Sequence, residues 1–172
     1  IAASAPLLHN PGEEWSYGIN MDILGCVVEV VSGMSFADYL DKNIFNPLKM
    51  NTTGFAVKPN DKKSFTSLYT SGAFSRDGEI VGPLGANYAD LEFSKSLRSI
   101  DAFDKSPYLE NSSKLYDGGS GLVSSIDDYS IFSEMLLNNG ELNGVRILSA
   151  ASVELMSRNC LLYTSPSPRD VE

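Results

Sequence analysis

Two helical periods set end to end, with a glycine between them, do most to limit how this chain can fold. Leu24, Val27, Val28 and Val31 recur at the spacing of one helix face, and Gly33 then interrupts the run. Ser35 reopens the pattern as an N-cap, Asp38 falls in the first turn, and Phe36, Tyr39, Leu40 and Ile44 share the next apolar face. Asn20 or Ser16 is the expected cap of the first helix. Pro47 is expected to end the second, because a proline pushes the residue before it out of the helical region. Together the two segments predict a helical hairpin.

Beyond Asn51 the signals change to turns: Asn60-Asp61, Asp77-Gly78 between Phe74 and Ile80, and Gly82-Pro83-Leu84-Gly85. They predict a small hairpin around Asp77-Gly78. Leu91, Leu97 and Ile100 in a charged setting suggest a short amphipathic helix within Tyr88 to Phe103. Asp117-Gly118-Gly119-Ser120-Gly121 then leads into a helix capped by Ser124 or Ser125, carrying Tyr129, Phe132, Met135 and Leu136 and stopped by Asn139-Gly140. A short strand is expected over Val145 to Leu148. Ser149 should cap a last helix with Val153 and Met156 on its apolar face.

Composition narrows the function classes. Hydrophobic residues make up 42% and charged residues 20% of the 172 positions, an ordinary globular balance with enough apolar material for a core. Thirteen basic against 22 acidic residues give a net charge of -9, and no Lys/Arg cluster is present to track a phosphate backbone, so nucleic acid is not expected as a partner. The longest apolar stretch, Ile23 to Val31, is broken by Glu29 and falls far short of the ~20 residues that cross a bilayer. Cys26 and Cys160 form neither a metal motif nor a disulfide framework and leave the redox compartment open. No Met opens the chain, and any signal peptide is expected upstream of Ile1.

Generic chemical motifs lead nowhere. His9 is the sole histidine and has no Cys or carboxylate pair at ligand spacing, so it reads as a loop residue, and no metal is expected. Gly118-Gly119-Ser120-Gly121-Leu122 looks at first like a nucleophile elbow. The closing glycine of Gly-x-Ser-x-Gly is Leu122 here, however, and no apolar strand immediately precedes the run, so Ser120 reads as part of a turn. The same run lacks the Gly-Lys-Ser/Thr close of a phosphate loop.

The informative blocks are longer. Pro11-Gly12-Glu13-Glu14-Trp15-Ser16-Tyr17-Gly18-Ile19-Asn20-Met21-Asp22-Ile23-Leu24-Gly25 runs on into Val30-Val31-Ser32-Gly33-Met34-Ser35-Phe36. Ile44-Phe45-Asn46-Pro47-Leu48-Lys49-Met50-Asn51-Thr52-Thr53-Gly54-Phe55 follows, and then Gly118 to Tyr129, Met135 to Asn138 and Val145 to Ser149. In this order they resemble the serine beta-lactamase and penicillin-binding-protein-like superfamily, which includes class C beta-lactamases, family VIII esterases and D-aminopeptidases. The resemblance implies an α+β parent fold, a helical lobe beside an antiparallel sheet, with this chain covering mostly the helical lobe and short hairpins. Residues 1–159 are then the central part of such a domain. Residues 160–172 are expected to be foreign to it: Cys160 to Asp170 resembles the in-frame translation of a transposon-based sequencing adapter, and Pro166 and Pro168 forbid helix there. Cys26 is on that reading the only native cysteine.

The resemblance also implies a chemistry without cofactor or metal. A Ser and a Lys from a Ser-x-x-Lys helix, a Tyr on a loop of the helical lobe and a strand motif of the Lys-Thr-Gly or His-x-Gly kind meet between two lobes, and an ester, lactam or peptide carbonyl acylates the Ser before hydrolysis. Tyr17 matches the Tyr. A phenol ionises near pH ~10, and bringing it to about 7 takes roughly 4 kcal/mol of preferential stabilisation of the anion, so neighbouring ammonium groups must act with it. No Lys here follows a Ser at the Ser-x-x-Lys spacing, and no Lys-Thr-Gly, Lys-Ser-Gly or His-x-Gly occurs. Nucleophile and strand motif are therefore expected upstream and downstream, and the chain alone is expected to be inert. Trp15 is expected as a wall of the Tyr17 loop. Asn20 and Asp22 either position that loop or cap the helix that follows. Where penicillin-hydrolysing relatives carry Tyr-x-Asn, the third position is Ile19, with Asn20 one place late; losing an amide there costs an ester substrate less than a lactam or peptide, so small esters are favoured. A beta-lactamase, a D-peptidase and a non-catalytic binding homologue are the alternatives.

Overall fold

A computed structural model describes residues 6–67, 69–70, 73–74, 92–93, 98–99, 107–109 and 116–158. The chain divides into two compact units, one made of residues 1–53 and 115–172 and the other of residues 54–114.

In the first unit α1 spans Asn20–Ser32, and Gly33 closes it in the left-handed conformation with its N–H on the Glu29 carbonyl, as the interrupted period predicts. The expected cap is corrected. Ile19 occupies the N-cap position and no side chain caps the helix, because Ser16 lies too far back and Asn20 is already the first helical residue; the Ser16 hydroxyl meets His9 Nε2 instead, at 3.0 Å. After Ser35, whose hydroxyl accepts the Asp38 N–H at 3.1 Å, α2 runs from Phe36 to Leu40.

The chain does not leave the helix before Pro47. It widens into a π-helical turn over Asp41–Phe45, where the Asn46 N–H reaches the Asp41 carbonyl, and closes in α3, Asn46–Leu48. Proline has no N–H to donate and its ring crowds the carbonyl one turn back, so a widened turn is one of the few helical geometries that carries a chain through it. The axis changes direction by 77° between α1 and the α2–α3 segment, which makes a corner instead of the antiparallel hairpin expected.

Ser125 is the cap of α4, Ile126–Leu137; its hydroxyl accepts the Asp128 N–H. The strand expected over Val145 to Leu148 is shorter and is the second arm of a hairpin. Glu141–Leu142 pairs antiparallel with Val145–Arg146 across the turn Asn143-Gly144, and Glu141 and Arg146 form an ion pair. Ser149 caps α5, Ala150–Met156, through the Ser152 N–H at 3.0 Å.

The core of this unit lies where these pieces meet. Phe45, Leu48, Met50 and Met135 are buried together, with Leu40, Ile44, Ile131, Phe132, Leu136, Leu142 and Ile147 packed around them. Burying each large side chain contributes about 1.5–3 kcal/mol. The apolar stripe of α1 takes no part: Leu24, Val27 and Val31 are exposed and Gly25 is the helix's one buried residue.

In the second unit a short 3₁₀ turn covers Pro59–Ser64, and two short antiparallel ladders nest, Ala73–Phe74 with Glu92–Phe93 inside Tyr69–Thr70 with Arg98–Ser99. At residues 92–93 and 98–99 these ladders stand where a helix is expected within Tyr88 to Phe103. Partners remote in sequence satisfy the backbone groups that a helix would have paired locally, a choice that local periodicity does not report. The Asp77-Gly78 and Gly82-Pro83-Leu84-Gly85 turns, the rest of Tyr88 to Phe103 and residues 159–172 lie outside the described residues. A second short helical turn, Pro107–Leu109, offers the Tyr108 carbonyl to the Val57 N–H at 2.7 Å, and the Tyr108 ring meets Phe65 edge-on.

Candidate active site: the Tyr17 loop

Tyr17 sits on the loop that feeds α1, three residues before its first helical position. Its side chain is 91% exposed, and Trp15 lies beside it with ring centroids 6.3 Å apart and planes tilted by 58°. Ile19 is exposed at the helix N-cap, and Asn20 is exposed at the first helical position, so no amide stands at the place two residues after Tyr17. Upstream, the loop is held by its own side chains. Asn10 and Glu13 clasp each other through Asn10 Nδ2 and Glu13 Oε1 at 2.9 Å, and His9 bridges the Asn10 carbonyl and the Ser16 hydroxyl. That occupies both ring nitrogens of His9 in loop structure.

The glycine run beside α1 acquires a clear reason. A Cβ on Gly118 would stand 2.1 Å from the Met21 carbonyl oxygen, so only glycine allows the two backbones this close. The next amide, the Gly119 N–H, donates to Asp22 Oδ1 at 2.8 Å. Ser120 is exposed in a bend of this loop. Asp22 therefore spends its carboxylate on the loop, and the alternative that it caps its own helix is removed.

A second polar cluster, which the sequence did not single out, holds the buried polar side chains among the described residues of the unit. Asp128 is 5% and Thr53 4% exposed. Asp128 Oδ2 accepts the Thr52 N–H at 2.7 Å, the Thr52 hydroxyl at 2.8 Å and the Thr53 hydroxyl at 2.9 Å. The Thr52 and Thr53 hydroxyls lie 2.7 and 2.8 Å from those of Ser125 and Ser124. Burial acts to raise the Asp128 pKa, but the hydrogen bonds donated by Thr52 and Thr53 together outweigh it and hold the carboxyl below its ordinary value. With its lone pairs committed to structural donors, this carboxylate pins the Met50–Thr53 turn to the start of α4. An acid in the first turn of a helix, three places after its cap, is the only trace of it in the sequence.

Protein Rv1367c of Mycobacterium tuberculosis is 29% identical over 90% of this chain and 33% of its own length. Esterase EstB of Burkholderia gladioli is 33% identical over 73% of this chain and 30% of its own length. A variant of simvastatin synthase from Aspergillus terreus superposes with a TM-score of 0.65 at 26% identity, over 92% of this chain and 32% of that one. The chain thus spans about a third of the length of these relatives. The beta-lactamase family model matches residues 1–164, which take in the Tyr17 loop, the glycine run and the Asp128 cluster alike, and the chain belongs to the beta-lactamase family, with the α+β fold of that family.

Proposed function

We propose that this chain is the central part of a serine hydrolase that cleaves small esters or related acyl compounds, with Tyr17 as one of its proton-transfer residues. In the reaction a serine oxygen supplied from a Ser-x-x-Lys segment outside this chain attacks the acyl carbonyl carbon, and the carbonyl electrons move onto an oxygen held by backbone N–H groups. Collapse of that intermediate breaks the acyl–oxygen bond and leaves an acyl-enzyme ester. The proton from the serine passes through Lys and Tyr to the departing alcohol. Water then takes the place of the alcohol and releases the acid.

The observation that carries this reading is an exposed tyrosine at the mouth of α1 with Ile19 two residues on. Relatives of the same family support it by what they do: EstB is an esterase, and a lovastatin esterase of Penicillium rubens is 30% identical over 58% of this chain. A D-peptidase is the second reading, favoured by a putative D-alanyl-D-alanine carboxypeptidase of Escherichia coli O157:H7 that is 24% identical over 88% of the chain. The apolar Ile19, in place of an amide that would orient a peptide, argues for the ester.

Tyr17→Phe in the full-length protein tests the assignment. It removes the proton and leaves the ring, so p-nitrophenyl ester acylation should fall by about 10²-fold or more, the scale of a lost general acid–base group. An unchanged acylation rate would remove Tyr17 from the mechanism. Faster turnover of a D-Ala-D-Ala peptide than of the ester would exchange the two readings.

A further inference from the structure

We propose that Asp22 is a positioning residue for Tyr17, acting through the Gly118-Gly119 backbone. The proposal rests on the reading of Tyr17 as a proton-transfer residue.

Three places on the first turns of α1 bear on the same short piece of chain. The Met21 carbonyl lies against Gly118, the Asp22 carboxylate takes the Gly119 N–H, and buried Gly25, one turn on, has room for a Cβ only 3.5 Å from the Gly118 nitrogen. An acid at the third helical position ordinarily satisfies its own helix end. Here the helix has no side-chain cap, and the half-buried carboxylate instead crosses to a residue 97 positions away. Tyr17, Ile19 and Trp15 are all exposed, so little packing around them fixes their direction. What orients the Tyr17 loop from its helical side is the anchored first turn of α1, through the Asp22 and Ile23 N–H groups that bind the Ile19 carbonyl at 3.1 Å.

The anchor itself is fixed. Downstream of the glycine run, Ser124 and Ser125 are tied to Thr53 and Thr52, and those to buried Asp128. The chain runs from these ties at the start of α4 back through Leu122 and Val123 to the glycine run, where the Gly119 N–H reaches Asp22 at the base of the Tyr17 loop.

The test uses the full-length protein with Asp22→Ala, Asp22→Asn and Tyr17→Phe, read by p-nitrophenyl butyrate kinetics and by amide hydrogen exchange. Asp22→Ala removes the acceptor; kcat should fall at least tenfold with KM within about twofold, and exchange in residues 15–24 should rise at least tenfold while α4 stays protected. Asn keeps an oxygen at the same place, and Asp22→Asn should return kcat to within about threefold of the parent. Wild-type exchange or wild-type kcat in Asp22→Ala would overturn the proposal. So would a loss of protection that includes α4, because Asp22 would then be a general scaffold residue, or an Asn variant as impaired as the Ala variant. If Tyr17→Phe abolishes turnover and Asp22→Ala does not, the positioning role alone fails. If Tyr17→Phe turns over normally, the reading of Tyr17 fails and the positioning role falls with it, whatever the exchange shows.

Discussion

At the scale of single residues the structure separates two carboxylates that look alike in sequence. Asp22 and Asp128 each fall in the first turn of a helix, where an acid is stabilised by the helix dipole. Only Asp128 is buried, and it gathers three donors on one oxygen. Replacing it by Ala leaves the Thr52 N–H without an acceptor, whereas the two threonine hydroxyls keep Ser125 and Ser124 within reach. The expected loss is therefore about 2–4 kcal/mol of unfolding free energy in the full-length protein, measured by urea titration at neutral pH. The pH dependence follows from the direction of the pKa. The folded carboxyl binds a proton less readily than the unfolded one, so its contribution is fully present above the unfolded value near pH ~4 and is lost as pH falls through the lower folded value. Asp128→Asn should flatten that acid limb of the stability curve relative to the parent; a limb of unchanged depth would mean that another group carries it. None of this was legible beforehand, because Thr52 lies 76 residues from Asp128 and burial is decided by that long-range contact.

Among the elements, most of what a local signal controls is legible in the sequence, the cap of α1 excepted, and what a distant partner controls is not. Ser35, Ser125 and Ser149 cap their helices and Gly33 ends α1, since each needs only a hydroxyl or a missing Cβ within a few residues. The ladders over residues 92–93 and 98–99 depend on residues 69–74, and the apolar periodicity of Tyr88 to Phe103 says nothing of them. Pro47 misled for a different reason: a π-helical turn just before it accommodates a residue that would break an ordinary helix. The hairpin at 141–146 is an intermediate case. Its turn, Asn143-Gly144, has positive φ at both central positions, 51° and 79°, which is the combination whose twist matches that of paired strands. A Cβ on Gly144 would meet nothing within 4 Å, so Gly144→Ala isolates the conformational cost of the left-handed backbone from any clash. Unfolding free energy should drop by about 1–2 kcal/mol with an unchanged denaturant slope. A drop of several kcal/mol would show that the hairpin contributes packing beyond its Leu142 and Ile147 contacts with the core.

For the molecule as a whole, the placement of apolar surface bears on the proposal that this chain is part of a larger domain. Of the α1 stripe that predicted a buried helix, Leu24, Val27 and Val31 are exposed, Val31 at 81%, and only Val28 is half-buried; Val30 beside them is 84% exposed. Ile126 and Leu137 on α4 and Leu155 on α5 are exposed as well, while the core that does form draws on the other faces of these helices. Such apolar faces are normally covered, and the chain spans about a third of the length of its relatives. In the proposed parent the remaining two-thirds supply that cover together with the serine nucleophile, and the two deficits should appear together when the chain is produced alone. Expressed by itself, it should bind a hydrophobic dye such as ANS, elute larger than a monomer in a concentration-dependent way, and fail to form an acyl adduct with a p-nitrophenyl ester. Adding Tyr17→Phe should change none of these, because no acylation step is available for Tyr17 to assist. A well-behaved monomer that ignores the dye would show the exposed faces to be tolerated surface, and ester turnover would place a nucleophile within residues 1–172 and overturn the need for an external Ser-x-x-Lys segment.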